Sequence, residues 1–534
     1  MISAAILSIA LIAADGPNPM PPQWGGELRF ALRSDPKTFD PLLSADQPSE
    51  LLIYLLHDRL IHWNRKTQKF EPALAESWKV VDQGRKIVLQ LRRGVQFSDG
   101  SPLTIKDMAY TVNRVADPAV NSPKAGAFRP EHGKVLVESM TGDRLSITFP
   151  TIVPSIEAEV SGLPILSNTG DFKLGLGPFV LREYKAAAHL QLVRNPNYWR
   201  TESGRRLPHL DSLRIDIVSN ADIEIERFRR GEIQLLDNVD PLSYDRLQKD
   251  LPGTALDVGP SFDVEFFWFN QAPTAPIAAH KLVWFRSKNF RRAISAAVHR
   301  EDIIRLVFQN RGTQAAGLAS PANKAWYKHG LTPHGFDLGL AKKLLRQDGF
   351  RWQGETLVDA SNHPVEFSLI TNANNKTRAR IASILQQDLA KLGIRINIST
   401  FDFPSLVERI GRTLNYEACL LGLVNVNPDP MGMMNVLLSS GPQHMWNPAQ
   451  KTPATAWETE IDKSMQIQAS TADLKKRRSA FDRVQQILSD EAPMLFLAHR
   501  NTLVAFSTRI GRIDPSAEFP RLLWNSERLV WGAR

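Results

Sequence analysis

Residues 365–400 read VEFSLITNANNKTRARIASILQQDLAKLGIRINIST. Val365–Ile370 is a short apolar run with β-branched and aromatic residues, which reads as a strand. From Lys376 the period changes. Ile381, Ile384, Leu385, Leu389 and Leu392 recur every three or four residues and fall on one stripe of a helix. Gly393 ends that helix, and Ile394–Ile398 returns as a second strand. Strand, helix and strand in this order make a βαβ unit, whose crossover is right-handed in about 98 % of cases and implies a parallel sheet covered by helices. The spacing therefore predicts an α/β fold.

Working outward, Tyr416–Val424 is an apolar strand that runs into Asn425-Val426-Asn427-Pro428-Asp429-Pro430. Helices are expected around Trp457–Ala469 and Ala472–Ser489, then strands at Met494–Ala498 and Thr502–Phe506. Upstream, Leu28, Phe30 and Leu32 mark a strand opened by Gly25-Gly26, and Leu51, Leu52, Leu55 and Leu56 a helix. Leu213, Ile215 and Ile217 mark another strand, and residues 135–140 and 144–149 a hairpin about Gly142. Phe266-Phe267-Trp268-Phe269-Asn270 is a strongly aromatic strand, of which one face must be core. Trp268 is kept as a candidate ligand wall.

At 534 residues the chain exceeds one hydrophobic core and should split into two or three domains. A net charge of +9 is modest for this length, and its densest basic run, Lys475–Arg478, falls on a helix where a solvated face is expected. No nucleic-acid partner follows from it. The single cysteine, Cys419, excludes an internal disulfide and a thiolate metal cluster, and reads as a small buried hydrophobe. The twelve histidines carry no HExxH, and the five-residue pairs His57/His62 and His329/His334 suit loops and surfaces better than a metal. No nucleophile elbow or P-loop is present, and Gly175-Leu176-Gly177-Pro178, without a following Lys-Ser/Thr, is a backbone turn rather than a phosphate cradle. No catalytic residue, metal or cofactor is therefore expected. Residues 1–24 read as a short secretory-signal-like apolar segment and a Pro-rich lead-in, with no basic residue ahead of the apolar run and no lipobox cysteine.

Glu71–Val115, EPALAESWKVVDQGRKIVLQLRRGVQFSDGSPLTIKDMAYTVNRV, carries a turn at Asp82-Gln83-Gly84, an alternating strand through Ile87, Leu89 and Leu91, and a turn at Asp99-Gly100-Ser101-Pro102. Thr104 and Asp107 then form a capping-box variant before a helix. In this order, Leu-Ala-Glu-Ser-Trp followed by Leu-Arg-Arg-Gly-Val-Gln-Phe-Ser-Asp-Gly resembles the family 5 extracellular solute-binding proteins, the peptide-, nickel- and opine-type receptors of ABC importers. Gly175–Phe179 with Arg194-Asn195-Pro196-Asn197-Tyr198-Trp199, and Phe290–Glu301, extend the likeness, and Ala116-Asp117-Pro118 with Ser122-Pro123 is similar to the oligopeptide- and dipeptide-binding branch.

The resemblance implies a two-lobed periplasmic-binding-protein fold of the α/β class, with a hinge between lobes and an extra subdomain in lobe I. Its expected divisions are lobe I at 25–58, 175–285 and 500–534, the subdomain at 59–174, and lobe II at 286–499. It implies a periplasmic, monomeric receptor, without a lipid anchor, that delivers a small peptide-like or amine-lacking solute to an ABC permease of the inner membrane. A sensory receptor, or an enzyme on the same scaffold, is the alternative. Relatives that bind peptides hold the amino terminus with an aspartate, and that position falls on Val426, between Asn425 and Asn427. The ligand-side aromatic of the oligopeptide branch falls on Lys124, a possible anion partner. Ser44, Ala45 and Asp46 match a segment that lends backbone groups to ligands, and Trp446 is a candidate aromatic wall.

Overall fold

The computed structural model of the chain describes residues 24–424 and 428–532. A twelve-stranded mixed sheet runs through it. Its strands are β1 (Glu27–Leu32), β2 (Phe179–Lys185), β3 (His189–Arg194), β4 (Ser212–Ile217), β5 (Leu235–Leu236), β6 (Ala255–Pro260), β7 (Val264–Phe269), β8 (Gly312–Gln314), β9 (Glu366–Asn372), β10 (Arg395–Phe401), β11 (Ala418–Leu423) and β12 (Met494–Phe506). The order is β10-β9-β11-β7-β12-β5-β1-β4-β3-β2, with β6 and β8 also paired to β12. Four helices matter below: α1 (Gln47–Leu56), α2 (Ile156–Gly162), α3 (Lys376–Ala390) and α4 (Leu474–Glu491).

The expected βαβ unit is present. β9 and β10 pair in parallel from Glu366↔Arg395 to Asn372↔Phe401, and α3 crosses between them with the Asn375 side chain capping the Arg378 N–H. β7 is buried at all six positions, which is why it reads as an unbroken apolar run. Phe267 and Phe269 enter one core with Phe285, Ile381 and Leu385, while Phe266 and Trp268 enter another with Trp446, Ile461 and Val484. Cys419 is buried in the second core, as its apolar surroundings require.

The sheet passes from one lobe to the other at two crossings. β6 and β7 are separated by residues 261–263, and both pair with β12, β6 with its C-terminal half and β7 with its N-terminal half. The sequence suggests two strands here, split at His499-Arg500-Asn501, but β12 is continuous for 13 residues. The polar interruption is satisfied in place: His499 Nδ1 lies 2.9 Å from the Asp263 carbonyl, Arg500 Nη2 2.6 Å from Asp263 Oδ2, and Asn501 Nδ2 2.9 Å from Asp257 Oδ2. A second departure concerns residues 264–285, expected in lobe I. Through β7 they pair with β11 and pack Trp284 and Phe285 into the core that covers α3, so they group with lobe II.

A separate four-stranded antiparallel sheet, in the order Ala75–Val81, Lys86–Leu91, Arg144–Thr148, Leu136–Met140, packs with the helix Ile105–Ala116 around its own core. The Thr104–Asp107 cap forms as read, with the Thr104 N–H donating to the Asp107 carboxylate at 2.8 Å. No helix among the described residues is long and apolar enough to cross a membrane.

Candidate functional site: a cleft between the lobes

A cavity of about 1030 Å³ lies over the crossing, with Ser261, Phe262 and Asp263 on its floor. One wall comes from α1 and the segment after it, the other from residues 323–326, 428–429 and the start of α4, and α2 of the subdomain closes a third side. This size suits a drug-sized or oligopeptide-sized solute.

The first wall is set by how α1 ends. Asp46 caps its N-terminus, accepting from the Ser49 N–H at 3.1 Å and the Ser49 hydroxyl at 2.8 Å. At the other end the Gly177 N–H donates to the Leu56 carbonyl at 2.9 Å, and a Cβ at Gly175 would stand 1.9 Å from that same oxygen. The Gly-Leu-Gly turn is thus a close backbone contact that fixes the exit of α1, not a phosphate loop. The chain then runs extended, Arg59 bridges to Pro164, and the hairpin of strands Ile61–Asn64 and Lys69–Pro72 presents His62, Trp63, Arg65 and Phe70 to the cavity. Trp63 Nε1 donates to Glu518 at 2.8 Å and Arg65 Nε to the Phe519 carbonyl at 2.7 Å, which ties the hairpin to the C-terminal segment. Tyr54 stands between two guanidinium groups, Arg59 at 5.2 Å and Arg65 at 4.7 Å from its ring centroid.

Across the cavity, Arg477 is nearly buried and binds both Asp429 oxygens, at 2.6 and 3.0 Å. It also donates to the Ser155 hydroxyl at 2.5 Å, which joins lobe II to the subdomain, and Ser155 is bonded to Asp429 in turn. Within Lys475–Arg478, expected to be a solvated face, Arg477 is the exception: it points inward over the Trp326 ring, 4.9 Å from its centroid. A second contact across the lobes is Gln68, which donates to the Ala322 carbonyl at 2.6 Å and accepts from the Lys324 N–H at 3.0 Å.

The cavity's carboxylates are mostly committed. Glu50 pairs with Lys124, Asp263 with Arg500, and Asp429 with Arg477. Burial pushes the Glu518 carboxyl above its usual range, against the pull of Arg65 and the Trp63 hydrogen bond. Glu157, half-buried in the first turn of α2, has no ion pair among the described residues. Burial, then nearby guanidinium groups, holds His62 well below its ordinary value, so its ring is neutral at pH 7.

Of the residues singled out in the sequence, Lys124 lines the cavity, but Glu50 matches its charge, so it does not offer a free cation to an anion. Ser44 stands behind this pair, donating to Glu50 at 2.9 Å, while Asp46 is the helix cap and Ala45 is exposed beside it. The two tryptophans are not walls of the cavity. Trp268 is fully buried, donating to the Tyr416 hydroxyl at 3.0 Å, and Trp446 is fully buried, donating to Glu458 at 2.9 Å. Their indoles satisfy N–H groups inside the lobe II core, a packing role that an apolar sequence context does not distinguish from a wall. Asn425, Val426 and Asn427 lie outside the described residues. Arg59, Tyr54, Trp63, Trp326, Arg477 and Glu518 were not legible as site residues. Tyr54, a polar-tipped aromatic off the leucine stripe of α1, was the one local signal.

The family model described as bacterial extracellular solute-binding proteins, family 5 Middle, matches residues 69–445. The chain belongs to this family. Among curated relatives, the family 5 protein is 24 % identical over 532 residues to di/tripeptide-binding protein 1 of Pseudomonas aeruginosa, covering 93 % of this chain and 92 % of that one. It is 25 % identical over 546 residues to a probable deoxycholate-binding periplasmic protein of Escherichia coli, covering 96 % and 94 %. Its fold is that of a solved ABC transporter substrate-binding protein from Listeria monocytogenes, at a TM-score of 0.79 and 24 % identity, covering 96 % of this chain and all of the other. Family 5 receptors of this fold are two-lobed, and the cleft described above lies between the two lobes.

Proposed function

We propose that this family 5 protein is the substrate-binding protein of an ABC importer, which captures one small solute between its lobes and hands it, chemically unchanged, to a permease outside the cytoplasm. The observation that carries this reading is the cavity itself: it is walled by both lobes and the subdomain, floored by the crossing strands, and bridged at Arg477–Ser155 and Gln68–Lys324. Hinge closure around a solute is the motion such an arrangement supports.

The solute is one without a free amine at the position where peptide-binding relatives place theirs. Val426 stands there in the sequence and supplies no charge. Three cavity carboxylates are ion-paired and the fourth, Glu518, is shifted toward its neutral form, so an ammonium would be desolvated at a cost of several kcal/mol without a matching counter-charge. Glu157 is half-buried, where an ion pair is worth about 1 kcal/mol or less. Deoxycholate, for which one relative is described, has no amine.

The test is a thermal-shift screen of purified protein against peptides, N-acetylated peptides, bile acids and glycosides, with each stabilising solute recovered and analysed. Stabilisation by an amine-free solute that returns intact is expected. Conversion of the solute would replace the receptor reading with the enzyme one, and tighter binding of free than of acetylated peptides would overturn the amine-free preference.

A further inference from the structure

Arg59 is a cation on the cavity wall whose guanidinium has no hydrogen bond or ion pair among the described residues. Three other cations of the lining are paired, Lys124 with Glu50, Arg477 with Asp429 and Arg521 with Asp237, while Lys69 is exposed and its charge is met by water. Arg65 is committed to the Phe519 carbonyl and the Tyr54 hydroxyl. Arg59 has no side-chain hydrogen bond or ion pair among the described residues, only the Tyr54 ring. Glu50 and Asp58 favour its charge from a distance, but neither bonds its guanidinium. One Asp58 oxygen accepts from the Arg59 backbone N–H at 2.8 Å and the other from Trp199 Nε1 at 2.7 Å. Burial disfavours the charged guanidinium, yet arginine does not give up its proton in a protein, so the charge persists at a cost. The backbone that carries it is fixed by the bridge to Pro164 and by the Leu74 N–H donating to the Arg59 carbonyl at 3.2 Å. Trp63, Phe70, Phe262 and Trp326 supply apolar surface in the same cavity.

A fixed fork of N–H donors with no bonded carboxylate, in a cavity with aromatic walls, fits one chemical class. We infer that Arg59 is the specificity-determining residue that receives the carboxylate of an amphipathic organic acid, whose apolar body lies against Trp63, Phe70, Phe262 and Trp326. The paired, planar donors of arginine match a carboxylate bidentately, which a neutral amide or a lone ammonium partner does not reproduce. This deepens the proposed function and rests on the cleft being the solute site.

The experiment uses the full chain and two matched pairs of probes, deoxycholate against its primary amide and N-acetyl-Phe-Ala-Phe acid against its C-terminal amide, read by titration calorimetry. At least one acid should bind the wild type roughly tenfold or more tighter than its amide, the preference expected of a charge-assisted contact. In Arg59→Gln that ratio should collapse towards one, and in Arg59→Lys part of it should return. Without solute, Arg59→Gln should melt higher than wild type, because it removes a charge that burial disfavours and no hydrogen bond satisfies; a merely structural arginine would leave a lower melting temperature. An unchanged acid-to-amide ratio in Arg59→Gln, no acid preference in either pair, or a lowered melting temperature would overturn the inference. If neutral or cationic solutes stabilise the protein while neither acid binds, the role of Arg59 fails and solute capture stands. If no solute of any class binds, the receptor reading itself fails.

Discussion

Glu458 leaves a measurable trace of a buried polar network that no local sequence pattern marks. Trp446 and Gln450 each donate to it at 2.9 Å, and Thr455 donates at 2.8 Å, while His444 Nε2 lies 3.3 Å away. Burial alone would raise its pKa, but these partners outweigh it and bring the carboxyl from the usual 4.5 down to about 2. A folded-state pKa below the unfolded one contributes stability that is complete above the ordinary carboxylate range and is lost as pH falls from about 4.5 towards 2. Its full size is on the order of 3 kcal/mol. Denaturant midpoints between pH 5 and pH 3 should therefore fall more steeply for wild type than for Glu458→Gln; parallel slopes would contradict the assignment. The same network explains Trp446. Its indole spans a polar partner and an apolar core, and no local pattern separates that from a ligand wall. Arg477 is the converse case: within Lys475-Lys476-Arg477-Arg478 nothing in the sequence marks which cation turns inward to meet Asp429, 48 residues away.

At the scale of elements, the signals that were legible are the local ones. The 3.6-residue stripe of α3, the alternation of Ile87, Leu89 and Leu91, the hairpin about Gly142 and the Thr104–Asp107 cap depend on neighbours within a turn or a strand, and all are present. The split of β12 was wrong because His499, Arg500 and Asn501 find partners in β6 and in the link between β6 and β7, which only the folded sheet supplies. The cleft was illegible for the same reason: Arg59, Phe262, Trp326, Arg477 and Glu518 meet from five distant segments. One element of the cleft can be tested by itself. A methyl group at Gly175 would overlap the Leu56 carbonyl, so Gly175→Ala should cost 3 kcal/mol or more, roughly the penalty of severe overpacking, and should displace the segment that carries Arg59. Gly411→Ala, where a Cβ meets nothing within 4 Å, should change stability by no more than about 1 kcal/mol in either direction. Urea unfolding of the two variants beside wild type makes the comparison, and equal costs would mean that the turn does not constrain α1.

The whole molecule is two doubly covered lobes sharing one long strand, with the separate core of the four-stranded sheet beside them. Each lobe keeps its own hydrophobic clusters, and among the described residues the polar contacts that join them across the cavity are few: Arg477 with Pro154 and, together with Asp429, with Ser155, Gln68 with Ala322 and Lys324, and Lys324 with Lys66. That contrast between dry cores and sparse, reversible bridges is what a receptor needs if its lobes are to separate and close at about the same free energy until a solute tips the balance. The two-lobed plan came from the resemblance and from the family, since periodicity alone reached only as far as α/β with a parallel unit. The most direct test of the central claim is a crystal structure of the protein with a solute that calorimetry has shown to bind. The account predicts an intact solute enclosed between the Arg59–Trp63 wall and the Asn323–Trp326 wall, above Phe262. A solute seated on the outer surface of either lobe, or present only as a chemically altered product, would contradict it.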